Sequence, residues 1–206
     1  RGATNFNASF QHSEIEGVIQ EVQGYNRDNF RLNIDQRLND RLDLSLSSFY
    51  ARSDNNDPDQ GVGSPFFAVQ FVEPDVHLLA DNPDGSPYAA KYPYNEGGNA
   101  SNPLYALANV DRNTDRSRFT GSAKLRWRPL DWLTAEGSYN YDQESENYTR
   151  VTPLGFLDRN GIPTKGNLFK DRNTGRTYNI NATLTSIRQF TPDILNTTKL
   201  SYVYED

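Results

Sequence analysis

The sequence predicts an all-β fold, an antiparallel up-and-down transmembrane β-barrel segment with long extracellular loops. Three observations predict it: side chains alternate between apolar and polar, the strands run for ten or more residues, and short and long connections alternate along the chain. In residues 118–127, Phe119, Leu125 and Trp127 share one face, because successive strand side chains point to opposite sides. Arginine and lysine side chains share the other face, as is typical of strands with lipid outside and a polar lumen inside.

Seven strands follow from this alternation. Each is a run in which apolar residues recur at every second position. The three short connections lie near Asn39, Leu130 and Pro192, where the sequence has turn-forming residues. An odd number of strands indicates a fragment, since single-chain bacterial barrels have even counts. The strands are expected at about residues 4–13, 25–38, 41–52, 118–127, 133–143, 175–190 and 195–206.

Two long loops separate some of these strands, at about residues 53–114 and 144–174. The first contains seven prolines, which a continuous central strand cannot accommodate. Within it, Asn102 followed by Pro103 predicts a short helical turn with an asparagine cap. In the second loop, Asn160 and Gly161 predict a small two-stranded flap.

Composition excludes several classes of protein. No stretch approaches the roughly 18 apolar residues of a membrane-spanning helix. The net charge of -6 argues against a nucleic-acid binder, which needs a basic face for phosphates. The absence of cysteine excludes disulfides, zinc–thiolate sites and thiol catalysis. A chain that begins at Arg1 and contains no methionine is expected to be an internal segment of a longer protein.

No enzyme, metal site or cofactor site is predicted. The two histidines, His12 and His77, have no nucleophile and acid beside them in the pattern of a catalytic triad. The acidic residues around Asp54 fail the spacing of an EF-hand calcium loop. Glu136 and Asp142 share a strand face but lie roughly 20 Å apart. Glycosidase carboxylates must lie about 5–9.5 Å apart, so these two acids are expected to pair with basic residues of the neighbouring strand instead.

Aromatic residues of the first long loop are the candidate ligand-binding residues. Flat rings suit sugar faces and peptide side chains. The alternative is that they form small cores that hold the loop in shape. The candidates are Phe66, Phe67, Tyr88, Tyr92, Tyr94 and Tyr105.

Four stretches resemble the SusC/RagA-like group of TonB-dependent outer-membrane transporters. They are residues 4–10 with the following Glu16-Gly17-Val18-Ile19, residues 26–35, residues 102–107 and residues 125–133. They occur in the family's order, and the resemblance as a whole covers nearly the whole chain. The resemblance implies a partial barrel domain over residues 1–206, about seven strands of a 22-stranded barrel. The plug domain, the TonB box and the C-terminal strands of the family are not found in this sequence.

The resemblance also implies a function and partners. Such proteins lie in the outer membrane of Gram-negative bacteria and import large nutrients such as glycans or peptides. Their partners are a SusD-like surface lipoprotein and TonB. The polar strand residues would then face the lumen: Arg31, Asp35, Lys124, Arg126, Glu136 and Asp142.

The alternative interpretation is a secreted β-sandwich that binds carbohydrate or serves as a structural module. It would bury the Phe119, Leu125 and Trp127 face in a core instead of in lipid. Such a module should fold alone, whereas a barrel segment has open edges and an uncovered apolar face.

Overall fold

The computed structural model describes residues 3–19, 21–56, 58, 60–61, 64–90, 102–158 and 160–206. The described residues form one seven-stranded sheet in which every neighbouring pair is antiparallel. The strands follow one another in sequence order across the sheet, as in an up-and-down meander. The first and last strands are edges, so the sheet is not closed in this chain.

The strands are long, and two short helices interrupt the connection between the third and fourth. The strands are β1 Thr4–Ile15, β2 Tyr25–Asn39, β3 Leu42–Asn55, β4 Asp111–Leu130, β5 Leu133–Thr152, β6 Asn167–Thr191 and β7 Ile194–Glu205. The helices are α1 Pro65–Val69 and α2 Pro103–Asn109. None of the helices in the described part of the chain has the length and apolar character needed to cross a membrane.

The three short turns all lie at one end of the sheet, as predicted. They connect β2 to β3, β4 to β5 and β6 to β7, and each spans two residues. At the first turn, the side-chain oxygen of Asn39 accepts a hydrogen bond of 2.8 Å from the backbone N–H of Arg41. The three longer connections lie at the opposite end, which we call the loop end.

The predicted loop boundaries are wrong because the strands extend further toward the loop end. The second long loop spans residues 153–166 instead of 144–174, and the first spans 56–110 instead of 53–114. The β5–β6 ladder continues through pairs such as Glu146 with Asn173 and Ser145 with Thr174. Around these pairs both faces are polar, so apolar alternation ends there although backbone hydrogen bonding continues.

The strand register aligns the apolar residues of all seven strands on one face. Phe6 pairs with Ile34, Ile34 with Leu46 and Leu46 with Ala123. The series continues through Tyr139, Ile180 and Tyr204. Large side chains on this face remain exposed, for example Trp127 at 51% and Leu200 at 69%. No second sheet covers them among the described residues, so the β-sandwich alternative is wrong for this chain.

Candidate functional site

Within the part of the chain that the structure describes, a buried hydrophobic cluster lies at the loop end and not on the sheet. It contains Tyr88, Ala90 and Tyr105, all less than 10% exposed. Phe156 and Leu157 of the β5–β6 connection pack against them. We call this group the loop cluster, because it joins two connections that lie far apart in the sequence.

Tyr105 holds the two connections together by two contacts. Its ring stacks on the ring of Phe156 with centroids 5.0 Å apart. Its hydroxyl oxygen accepts a hydrogen bond of 2.9 Å from the backbone N–H of Leu157. An aromatic stack and a satisfied backbone donor both favour one fixed arrangement of the loops.

Helix α2 places Tyr105 in this position, and its predicted cap is confirmed. The side-chain oxygen of Asn102 accepts a hydrogen bond of 3.0 Å from the N–H of Leu104, and Pro103 occupies the first turn. The side-chain nitrogen of Asn102 donates to the carbonyl of Leu78 at 2.7 Å. Asn102 is only 1% exposed, so both of its polar ends are satisfied inside the loop.

The β1–β2 connection is attached to the same cluster. The Tyr88 hydroxyl donates to Glu21 at 2.8 Å, and this bond raises the pKa of Tyr88 because a phenolate would lie beside the carboxylate. Nearby, the side-chain oxygen of Asn56 accepts hydrogen bonds from the N–H groups of Gln23 and Gly24 at 2.9 and 3.2 Å. The β3–β4 connection therefore contacts both of the other long connections at the loop end.

The flap predicted at Asn160 and Gly161 is present. The N–H of Asp158 donates to the carbonyl of Ile162 at 3.0 Å, and a bridge joins Leu157 to Pro163. The flap is short: among its described residues, the Leu157–Pro163 bridge and the backbone hydrogen bonds beside it join the two arms. It presents Ile162, which is 59% exposed, beside the loop cluster.

The predicted ligand-binding aromatics fall into three groups. Tyr88 and Tyr105 are buried in the loop cluster at 7% and 6% exposure. Phe66 on α1 is 63% exposed, and Phe67 contacts Phe71 with ring centroids 5.0 Å apart. The remaining two candidates, Tyr92 and Tyr94, lie outside the described residues.

The predicted polar residues all lie on the face opposite the apolar one. Arg31, Phe49, Thr120 and Asp142 form one cross-strand row, and Asp35 and Lys124 belong to a second. Asp35 accepts a hydrogen bond of 2.6 Å from the Ser45 hydroxyl.

The predicted cross-strand ion pairs are confirmed. The Arg118 guanidinium binds both oxygens of Asp142, at 3.0 and 2.5 Å. One carboxylate oxygen of Glu136 lies 2.6 Å from Arg126 Nε and 3.7 Å from Lys124 Nζ. These pairs remain partly exposed, so each contributes at most about 1 kcal/mol.

One feature of the apolar face was missed by the sequence analysis: a cross-strand row of aromatic residues toward the loop end. Phe10 pairs with Phe30, Phe30 with Tyr50, and Tyr50 with Phe119. One strand further along, Tyr141 pairs with Tyr178. We call these six residues the aromatic row. Each lies near the position at which the apolar alternation of its strand ends toward the loop end. That position is the sequence signal that could have located these residues.

Beyond the aromatic row the same face becomes charged. His12 Nδ1 lies 2.8 Å from Asp28, and Arg52 lies 3.6 Å from Asp115. The apolar residues thus form a band that runs from the aromatic row to Trp127 near the short turns. On β4, the nine residues from Phe119 to Trp127 span about 27 Å along the strand.

No clustered set of three or more histidine, aspartate or glutamate side chains suited to a metal ion occurs within the described ranges. The sequence predicts that the whole chain has no metal site and no catalytic centre, and both statements remain predictions.

Comparison with known proteins bears on the fold. No protein-family model and no curated protein matches the sequence. A chain in the structure of the RagAB peptide transporter matches with a TM-score of 0.70 and 15% identity, over 98% of this chain and 22% of that chain. A chain of the RagAB peptide importer in the closed-closed state gives a TM-score of 0.71 and 17% identity over the same shares. The chain therefore spans about a fifth of the length of these transporter chains, and it shares their fold over that part.

Proposed function

We propose that this chain is a segment of an outer-membrane transporter, with its seven strands forming part of the wall of a 22-stranded barrel. The main support for this proposal is the uncovered apolar band, which crosses all seven strands and ends at the aromatic row. The likeness in fold to RagAB peptide transporter chains supports the same assignment.

The dimensions of the band suit a bilayer. A strand tilted by about 40° converts a length of about 27 Å into a height of about 20 Å. Outer-membrane barrels have an apolar band about 25 Å tall with aromatic residues at both interfaces. Here the aromatic row would lie at one interface, and Trp127 and Trp132 beside the short turns would lie at the other.

The opposite face would line the lumen. Arg31, Asp35, Lys124, Arg126, Glu136 and Asp142 would then meet water, a plug or the transported molecule. The loop end would face the outside, where a SusD-like lipoprotein would cover the loops and exposed side chains such as Phe66 would contact it or the ligand. TonB would supply energy through parts of the protein beyond this segment.

The transported class would be peptides, with glycans as the alternative within this family. Peptides are favoured because the two RagAB chains compared above come from a peptide transporter or importer. Uptake of a labelled oligopeptide and of a labelled oligosaccharide should be compared in cells with and without the gene. Gene-dependent uptake that stops when a protonophore collapses the proton gradient would support TonB-dependent import. Uptake that persists without the gene would contradict it.

Membrane placement has a direct test, because no native cysteine within these 206 residues would take up a label. A nitroxide label on Ala123→Cys, in the apolar band, should be accessible to oxygen but shielded from a water-soluble nickel chelate. The matched label on Ser122→Cys, one residue away on the opposite face, should be accessible to the chelate. A label at position 123 that neither reagent reaches would indicate a packed protein core, and the transporter proposal would fail.

A further inference from the structure

A recess of about 600 Å³ lies in the polar face near the loop end. Its floor is formed by β3, where Ser47, Ala51 and Ser53 have small side chains and Phe49 contributes a ring. The neighbouring strands carry arginines beside two of these residues, Arg118 beside Ala51 and both Arg27 and Arg116 beside Ser53, so the face is indented between them. Ala51 is only 8% exposed, because the walls on both sides cover it.

Arginine side chains form the two walls. Arg27 and Arg31 stand on β2, and Arg116 and Arg118 stand on β4. The register places Arg27 and Arg116 opposite each other, with Ser53 between them. Two strand spacings separate their backbones, which is about 10 Å. We call this feature the arginine recess.

The two walls differ in how their charges are compensated. On the β4 wall, Arg118 binds Asp142 with two hydrogen bonds, and Arg116 Nε lies 2.6 Å from Glu146. Glu144 also lines this side of the recess. Both arginines of the β4 wall are therefore compensated, and Glu144 adds one further negative charge on this side.

The β2 wall has no such compensation. Within the described ranges, neither Arg27 nor Arg31 has a carboxylate within 4 Å. Arg27 Nε donates to the side-chain oxygen of Asn29 at 2.8 Å, and the Arg31 guanidinium lies over the Phe49 ring at 5.3 Å. Stacking on a ring orients a guanidinium while leaving its N–H edge available.

We propose that the arginine recess binds the side-chain carboxylates of an acidic peptide as it passes along the polar face. A guanidinium presents parallel N–H donors that match a carboxylate, and charge-assisted hydrogen bonds of this kind are the strong ones. Arg27 and Arg31 are four residues apart on one strand, about 14 Å. An extended peptide with acidic residues at positions i and i+4 has the same spacing. The inference rests on the proposed transporter function and specifies its substrate class.

The test uses the full-length protein in nanodiscs and two fluorescein-labelled peptides, hexaglutamate and hexaglutamine. Fluorescence anisotropy gives the ratio of their affinities. The double variant R27Q/R31Q should lower the preference for hexaglutamate by roughly tenfold or more, since each guanidinium supplies a charge-assisted bond. Added salt should weaken hexaglutamate binding to the wild type more than to the double variant.

The matched control is R37Q on the same strand and face. Arg37 lies outside the recess and pairs with Asp40 at 3.1 Å, so this variant should keep the wild-type preference. An unchanged preference in R27Q/R31Q, or an equal loss in R37Q, would overturn the proposal. Arginine-dependent binding of an oligogalacturonate, with no binding of hexaglutamate, would overturn the peptide assignment.

The spin-label measurement at position 123 separates this inference from the proposed function. If R27Q/R31Q keeps the lipid signature at that position and also keeps the wild-type preference for hexaglutamate, only the recess proposal fails. If the lipid signature is absent from the wild type as well, the membrane placement itself fails.

Discussion

An arginine placed in the middle of the apolar band should destabilise the protein in its membrane. Ala123 is four residues from Phe119 and four from Trp127, so it lies about 14 Å along the strand from each limit of the band. Its side chain shares their face, which no other part of the described chain covers. Ala123→Arg would therefore place a guanidinium near the bilayer midplane.

The expected cost follows from this depth. An arginine at the midplane of a membrane barrel costs about 2–4 kcal/mol, and one near an interface costs about 0–1 kcal/mol. The full-length protein in lipid bilayers should thus show a clearly lower urea midpoint for Ala123→Arg. Ser117→Arg lies on the same face but beyond Phe119, so its midpoint should stay near that of the wild type.

Two further variants isolate the cause. Ser122→Arg carries the same charge on the polar face and should cost less than about 0.5 kcal/mol. Ala123→Met adds bulk without charge and should also be tolerated, since lipid accommodates an apolar side chain. Equal destabilisation by Ala123→Arg and Ser122→Arg would refute the reasoning, as would a cost at Ser117 as large as that at Ala123.

The remaining predictions concern the loop end. Tyr105→Phe should speed amide exchange at Leu157, whose N–H loses its acceptor at a local cost of about 1 kcal/mol; unchanged exchange would show that water replaces the hydroxyl. Asn102→Ala should cost about 1–2 kcal/mol through loss of the helix cap, seen as faster proteolysis within the first long loop. Gly24→Ala should destabilise by more than about 1 kcal/mol, because φ is 93° and an added Cβ would overlap a carbonyl oxygen of β1. Gly137→Ala has open space around it and should leave the urea midpoint unchanged, and equal effects of the two glycine variants would contradict this reasoning.

The alternation of apolar and polar residues predicted the sheet because it reports side-chain direction directly. It identified all seven strands, and it placed Arg118 and Asp142 on one face of adjacent strands, where the structure shows them paired. It failed at the loop end of β5 and β6, where Ser145 and Thr174 continue the ladder without an apolar face. Backbone hydrogen bonds maintain the strands there, and the hydrophobic periodicity of the sequence does not report backbone hydrogen bonds.

The arginine recess and the loop cluster depend on which segments are neighbours in the fold, and the recess also depends on the register between strands. The arginine recess requires the small side chains of β3 to lie between Arg27 on β2 and Arg116 on β4, and a shift of one residue would move them to opposite faces. The loop cluster brings Tyr105 to Leu157, 52 residues later in the chain. No local pattern in either loop signals that contact.

The sequence by itself determined the strands, their turns and the character of each face, because these follow from a period of two residues and from local turn chemistry. The tertiary structure alone decided the strand register and the packing of the three long connections. Register sets the aromatic row and the recess, since both are built from residues on several strands. Loop packing depends on contacts between distant segments, whose energies no local sequence pattern records.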